Sequence, residues 1–288
     1  MYNNLISKKA NIYYARIGKC YKISYLRNLK KVHLTFQIKI MKILVCISHV
    51  PDTTSKINFS EGDSKFDANG VQFVINPNDE FGLTRAMWFK EKQGATLDVV
   101  CVGGPETEPT LRKALAIGAD AAIRVDTAAQ DGLQVAKELA KVVEDGNYDL
   151  VIAGRESIDY NGGMVPGMLS ALTGANFVNN CIGLDIDGGS VKAIREIDGG
   201  KETLVTNLPL IIGGQKGLVE ESDLRIPNMR GIMMARKKPM QVVESVNAES
   251  GTAVVKFEKP EPKGAVTLVD AGNLEELIKL LHNEAKVI

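Results

Sequence analysis

From residue 41 onward, apolar runs of four to seven residues alternate with stretches whose apolar positions recur at helical spacing. Residues 43–47 are the first run. A polar, Gly-containing stretch reaches Asn69, and residues 71–75 then lead into the breaker Asn76-Pro77-Asn78-Asp79. Asn78 or Asp79 is placed to cap the next helix, whose Phe81, Met87 and Trp88 lie near one face. Residues 97–102 form the next run and end in Gly103-Gly104-Pro105. The spacing predicts a helix over 107–117, closed by Gly118 where a left-handed residue commonly ends a helix. A short strand over 121–125 follows, then a helical stripe of Leu133, Ala136, Leu139, Ala140 and Val143 ending near Gly146. Residues 150–153 form a further strand, followed by Gly154, a polar loop to Gly163 and a helix over 164–172. Apolar runs alternating with helices predict an α/β fold whose mostly parallel sheet is doubly wound.

After Gly174 the period changes. Residues 191–197 and 202–207 flank Asp198-Gly199-Gly200-Lys201, a strong β-hairpin signal. A buried strand over 208–212 follows. Beyond Gly217 the chain reads as irregular and basic, with Arg236-Lys237-Lys238-Pro239. A linker over 257–264 precedes a last helix. Asn273 and Glu276 form its capping pair, and Leu274, Leu277, Ile278 and Leu281 share one face. Such a tail needs a surface to dock on, in its own domain or in a partner. Residues 41–240 are expected to form the α/β domain, and 241–288 an extended arm ending in the helix.

Charge changes the picture at the start. Lys and Arg number 35 and so do Asp and Glu, yet residues 1–40 hold nine basic and no acidic residues. The remainder carries 26 basic against 35 acidic residues. A basic, acid-poor leader fits a targeting presequence or a nucleic-acid arm. The Lys, Asn, Ile, Tyr and Leu bias fits translated spacer better, so Met41 is taken as the true start. No stretch of about 18 apolar residues is present, and membrane insertion is not expected. Cys46 and Cys101 lie in apolar runs, and no C-x-x-C or His-linked spacing occurs. That usage suits a reducing compartment, the cytoplasm, without structural zinc.

In an open parallel sheet, ligands bind beyond the carboxyl ends of the strands. Those ends are Cys46 to His49, Gly103 to Pro105, and the loop from Gly154 to Val165. Small residues there admit a ligand to backbone N–H groups, and the helix from Met164 turns its positive end to a phosphate. Any one glycine can equally be a tight strand ending; three in one sheet favour a nucleotide site. No G-x-G-x-x-G follows the first strand and no Walker lysine is present. Asp159 lacks a nearby carboxylate or His, which leaves it a turn residue or a ribose ligand, and His49 is a lone strand-end histidine. The pattern is that of a binding protein without catalytic residues of its own. A stand-alone adenine-nucleotide sensor would explain the sheet but not the hairpin, basic segment and amphipathic tail.

Several strings occur in order: MKILVCISHVPDT from Met41, the Asn76-Pro77 turn, ALAIGAD at 114–120, GLQVAKELA at 132–140, DLVIAGRESID at 149–159, REIDGGKETL at 195–204 and RIPNMRGIMMARKKP at 225–239. Across residues 41–288 this set resembles the electron transfer flavoprotein beta subunit. The resemblance implies a Rossmann-like, adenine nucleotide alpha hydrolase-like domain. It also implies a heterodimer with an alpha subunit that holds most of a redox-active FAD, and an AMP buried in the beta subunit. The family's AMP contacts fall here on Cys46, Asn76, Gly103, Gly154, Asp159, Asn161, Gly162, Gly163, Met164 and Val165. Asn161 stands where Asp is common and Met164 where Gln is typical, which puts side-chain contacts there in question.

The basic segment, residues 222–236, is similar to the family's recognition loop, which docks acyl-CoA dehydrogenases and related flavoenzymes of fatty acid oxidation. The resemblance places Met229 at the inserting apolar position, with Arg225 and Arg230 beside it; the family also has an Arg near the flavin on this side, which offers Arg225 a place facing the FAD domain instead. Electron-bifurcating members carry a second FAD in the AMP position. Gly132-Leu133-Gln134-Val135 looks like the AMP-binding group, whereas Arg230-Gly231-Ile232-Met233 resembles anaerobe members.

Overall fold

The computed structural model describes residues 40–262 and 264–288. The basic leader, and with it the expectation that Met41 is the start, falls outside the described residues except for Ile40. Strand β1 (Lys42–Cys46) lies in the middle of a nine-stranded sheet. On one side of it come β6 (Thr96–Val102), β7 (Ala121–Asp126) and β13 (Met240–Glu244). On the other side come β8 (Leu150–Gly154), β12 (Leu210–Gly214) and β9 (Asn176–Asp187), then β10 (Ser190–Ile197) and β11 (Gly200–Asn207). Every pair from β13 to β9 is parallel; β9, β10 and β11 continue as an antiparallel meander. This is the expected α/β architecture.

The helices cover both faces. On one face α1 (Pro77–Gln93) and α2 (Glu108–Ile117) bury Leu83, Phe89, Leu111 and Leu115 against Ile43, Val45, Leu97 and Val99. On the other, α3 (Gly132–Gly146) and α4 (Val165–Thr173) bury Leu139, Val143 and Leu169 against Leu44, Val100, Val151 and Ile211. Central strands buried on both sides must be apolar throughout, which is why LVIAG and LIIGG read as unbroken runs.

The hairpin turns at Asp198-Gly199, with Ile197 facing Gly200 and Gly199 at φ 81°. Gly118 ends α2 as expected. Other expectations change. Within 71–75 only β5 (Phe73–Ile75) is a strand, and it pairs with β2 (His49–Pro51) in a separate two-stranded ribbon. A second ribbon joins β3 (Asn58–Ser60) to β4 (Lys65–Asp67). The long strand β9 was not legible. Its buried positions run Val178, Cys181, Leu184 and Ile186, and two three-residue steps around Cys181, beside Asn180 at φ 51°, break the two-residue alternation. The segment read as irregular contains α5 (Met229–Ala235), and the boundary expected at 240 falls within β13, so the sheet runs on to Glu244. The last helix, α6 (Leu274–Lys279), is capped by Asn273, which accepts from the Glu276 N–H at 3.2 Å and donates to its carboxylate at 2.6 Å. Leu274, Leu277 and Ile278 on it are exposed. Among the described residues no helix is long and apolar enough to cross a membrane.

Candidate functional site

The first turn of α1 does not cap itself. Asn76 is the N-cap residue but makes no side-chain cap bond, and Asp79 turns inward rather than capping. This corrects the expected helix start. Asp79 is 1% exposed. Its carboxylate accepts the Ser48 N–H at 2.7 Å, just past β1, and the Gly154 N–H at 2.8 Å, at the end of β8. One buried carboxylate therefore fixes two neighbouring strand tips. Burial outweighs those bonds and raises its pKa from 3.8 to about 7. Asn76, wholly buried, donates to the Glu156 carbonyl at 2.9 Å and accepts from the Ile158 N–H at 3.3 Å. Asn78 also donates to the Glu156 carbonyl, at 3.1 Å. The loop after β8 is thus laced to the start of α1.

That loop carries most of the expected contacts. Arg155 extends the β8–β12 ladder by donating to the Gly214 carbonyl at 2.8 Å, and Ser157 donates its N–H to the Gly162 carbonyl at 3.1 Å. Between them Asp159 accepts from the Tyr160 N–H, and Asn161 takes a left-handed φ of 51°. Both are turn residues here. The side of Gly162 where a Cβ would stand is open, whereas on Gly163 a Cβ would lie 3.2 Å from the Arg155 carbonyl oxygen. Met164 precedes α4 without a side-chain cap, and Val165 and Pro166 open the helix. Met164 leans over the start of α3, where a Cβ on Gly132 would meet its Cγ at 2.7 Å. The first turn of α3, by contrast, is served by its own chain. Asp131 accepts from the Gln134 N–H, and the Gln134 side chain bonds back to Gln130 and Ala128.

Cys46, Asn76, Gly154 and the loop to Val165 are brought together through Asp79 and Ser48. Gly103 ends the neighbouring strand β6, donating to the Val125 carbonyl at 3.0 Å and accepting from Arg124 at 3.1 Å. Two glycines have a reason other than ligand approach. A Cβ on Gly154 would meet the Asp79 carboxylate at 2.3 Å, and one on Gly103 would meet Thr107 Cγ2 at 2.3 Å. Their smallness accommodates the chain's own side chains. Burial holds the Cys46 thiol far above its ordinary pKa, so it is neutral and unreactive. His49 stacks on Phe73 with ring centres 4.2 Å apart and contacts Thr110 Oγ1 at 2.8 Å; burial lowers its pKa, which keeps it uncharged. Among the described residues, two buried polar atoms nearby have no hydrogen-bond partner: Ser157 Oγ in the loop and Asn179 Oδ1, which approaches Gly213 at the tip of β12.

The basic segment lies elsewhere, along α1 and α2. Arg225 pairs with Glu91 of α1 at 2.8 Å, and its N–H donates to Thr84 Oγ1 at 3.2 Å. Met229 opens α5 and is 75% exposed, so it does not pack within its own domain; Arg230 is exposed too. Sequence reasoning overlooked Ile226, at 83% more exposed than Met229, and Met233 and Met234 beside them. It also overlooked Asp79 as a strand-tip ligand. An acidic residue three positions past a helix start reads as first-turn charge, and nothing in its spacing points to strands 31 and 75 residues away.

A family model described as electron transfer flavoprotein domain matches residues 63–248. A relative in Bacillus subtilis (strain 168), electron transfer flavoprotein subunit beta, is 34% identical over 262 residues, covering 86% of this chain and 100% of that protein. Proteins of the same description are 35% identical in Syntrophomonas wolfei, covering 78% of this chain and 88% of that protein, and 31% identical in Mus musculus, covering 86% and 99%.

Proposed function

Because this chain belongs to the electron transfer flavoprotein family as a beta subunit, we propose that it pairs with an alpha subunit and holds an AMP at its strand tips. Most of the contacts to FAD lie in the alpha subunit, and the FAD supplies the redox chemistry. Electrons arrive from flavoenzymes of the acyl-CoA dehydrogenase type and leave to a downstream acceptor in the cytoplasm. The chain's own residues bind and orient; none is assigned a catalytic step. The arm beyond β13 docks on the alpha subunit, which would cover Leu274, Leu277 and Ile278.

The observation that carries the AMP reading is the loop between β8 and α4. Ser157 Oγ is buried there without a partner, beside an uncapped helix start and the open side of Gly162. A buried hydroxyl without a hydrogen bond is expensive, and a ligand oxygen or nitrogen would satisfy it. The N-terminal end of α4 suits a phosphate. Cys46, Asn76, Gly103, Gly154 and Asp159 to Val165 are the positions proposed to line the nucleotide. Backbone groups carry much of the contact, since Asp159 and Asn161 are already engaged in the turn.

A second FAD in the AMP position is the alternative. The folding back of Gln134 and the Asp131 cap favour the smaller nucleotide, because the Gln134 N–H in the first turn of α3 is already taken by Asp131 and the Gln134 side chain is turned back to Gln130 and Ala128. The test is nucleotide extraction from the purified heterodimer followed by mass spectrometry. One FAD and one AMP support simple electron transfer. Two FADs overturn the AMP assignment in favour of bifurcation, and no adenine nucleotide in this chain overturns both.

A further inference from the structure

The projecting side chains of α5 leave its other side free, and that side is fastened to α2 by contacts to which no role has been given. We infer that Arg112 and Lys238 are positioning residues for electron acceptance: each caps the C-terminal end of the other's helix or turn, and together they set the angle at which Ile226 and Met229 stand out. The inference rests on reading the α5 segment as the surface that meets a donor flavoenzyme.

The last carbonyls of a helix have no partner inside it and carry its negative end. Arg112, on α2, donates from Nη1 to the Ala235 carbonyl at 2.8 Å and to the Lys238 carbonyl at 3.0 Å, which are the last residue of α5 and the turn after it. Lys238 reaches the opposite way. Its Nζ donates to the Leu115 carbonyl at 2.9 Å and the Ala119 carbonyl at 2.5 Å, at the end of α2. Lys90 of α1 meets the same end, bonding the Gly118 carbonyl at 2.9 Å and Asp120 at 2.5 Å. Within the basic run, Arg236 and Lys237 are exposed while Lys238 is half-buried. The run therefore divides into two cations for solvent and one for structure.

Gly231 supplies the close approach. A Cβ there would lie 2.3 Å from the Ala116 carbonyl oxygen, so α5 and α2 meet backbone to backbone. At seven residues, α5 is too short to hold its shape in water without outside contacts. Apart from the Asn228 cap at its start, its order comes from α2 through Gly231, Arg112 and Lys238. A helix held this way presents its apolar side chains already ordered, which reduces the entropy lost on docking.

The experiment uses the assembled heterodimer with a purified acyl-CoA dehydrogenase as electron donor. Arg112→Met should raise the dehydrogenase's KM for the heterodimer roughly three- to tenfold, the range expected when one or two ordered side chains become free. The kcat, the flavin content and reduction by dithionite should not change. Arg112→Lys, which reaches one carbonyl, should recover part of the loss. In a Met229→Ala background the Arg112→Met effect should shrink, because the two act on one contact. Amide exchange in residues 229–238 should quicken in Arg112→Met and not in Met229→Ala. A full additive effect, a parallel loss of flavin, or unchanged exchange overturns the inference. If Met229→Ala and Ile226→Ala leave KM unchanged, the docking surface is misassigned, and the exchange measurement still decides whether Arg112 holds α5. Should Arg112→Met fail to fold, Arg112→Lys carries the same readouts.

Discussion

At the strand tips polar groups are buried and almost wholly satisfied, whereas along α5 apolar groups are left in water. Asn76 and Asp79 are at most 1% exposed and tie three separate chain segments together; Ile226 and Met229 are at least 75% exposed and touch little of their own chain. The first arrangement ties the strand tips into one hydrogen-bonded floor, with Ser157 Oγ and Asn179 Oδ1 left unsatisfied among the described residues. The second is the surface proposed to meet partner flavoenzymes, and flexible methionines suit that use. Stability should therefore reside in one region and partner affinity in the other, and mutations can test that division.

The largest effect is expected at Asp79. Asp79→Ala strips the Ser48 and Gly154 N–H groups of their acceptor, and at about 1–3 kcal/mol for each unsatisfied group the loss should be about 2–6 kcal/mol. Urea unfolding measures it directly; a loss below about 1 kcal/mol would mean that the strand tips do not depend on this carboxylate. The same residue gives a pH signature. Its pKa in the folded chain, about 7, lies above the ordinary 3.8, so the folded state holds a proton that the unfolded state releases earlier. That contribution to stability is complete below about pH 4 and is lost as pH rises through 7. Unfolding free energy should fall more between pH 5 and 8 in the parent than in Asp79→Asn. Equal slopes would show that burial does not raise this carboxyl.

Smaller effects are expected on α5 and the residues just before it, and on a different readout. Met229→Ala and Ile226→Ala should each weaken productive encounter with a donor flavoenzyme by at most about 1.5–3 kcal/mol, the value of burying one large apolar side chain. Thermal stability and flavin content should stay at parent values. A drop in stability equal to that of Asp79→Ala would erase the contrast between the regions. The smallest effect belongs to Asn228→Ala, which removes the side-chain bond to the Gly231 N–H. A lost N-cap costs about 1 kcal/mol, and here it should appear as faster amide exchange confined to α5, with the global unfolding midpoint unmoved.

Periodicity alone located the parallel strands β1, β6, β7, β8 and β12, the four helices that cover the sheet, the Asp198-Gly199 hairpin and the Asn273 cap. Each of these depends on residues close in the chain. Burial on both faces demands continuous apolar runs, and turns and caps depend on local backbone geometry. The bulged β9 escaped because two irregular steps break the alternation that marks a strand. Short α5 and edge strand β13 escaped because their own residues carry too little apolar pattern to announce them. The candidate positions came as a set from the strand-end rule and the family resemblance, and the fold places Asn76 and Gly154 together around Asp79. The reasons for individual residues were not: Gly154 is small because Asp79 lies against it, and Asp79 is acidic because two distant strands present their N–H groups to it. Local sequence determined where the chain turns, extends and coils. Only the folded chain decided which polar groups meet across 75 residues and which apolar ones stay in water, because both depend on distances that exist only after the sheet has assembled.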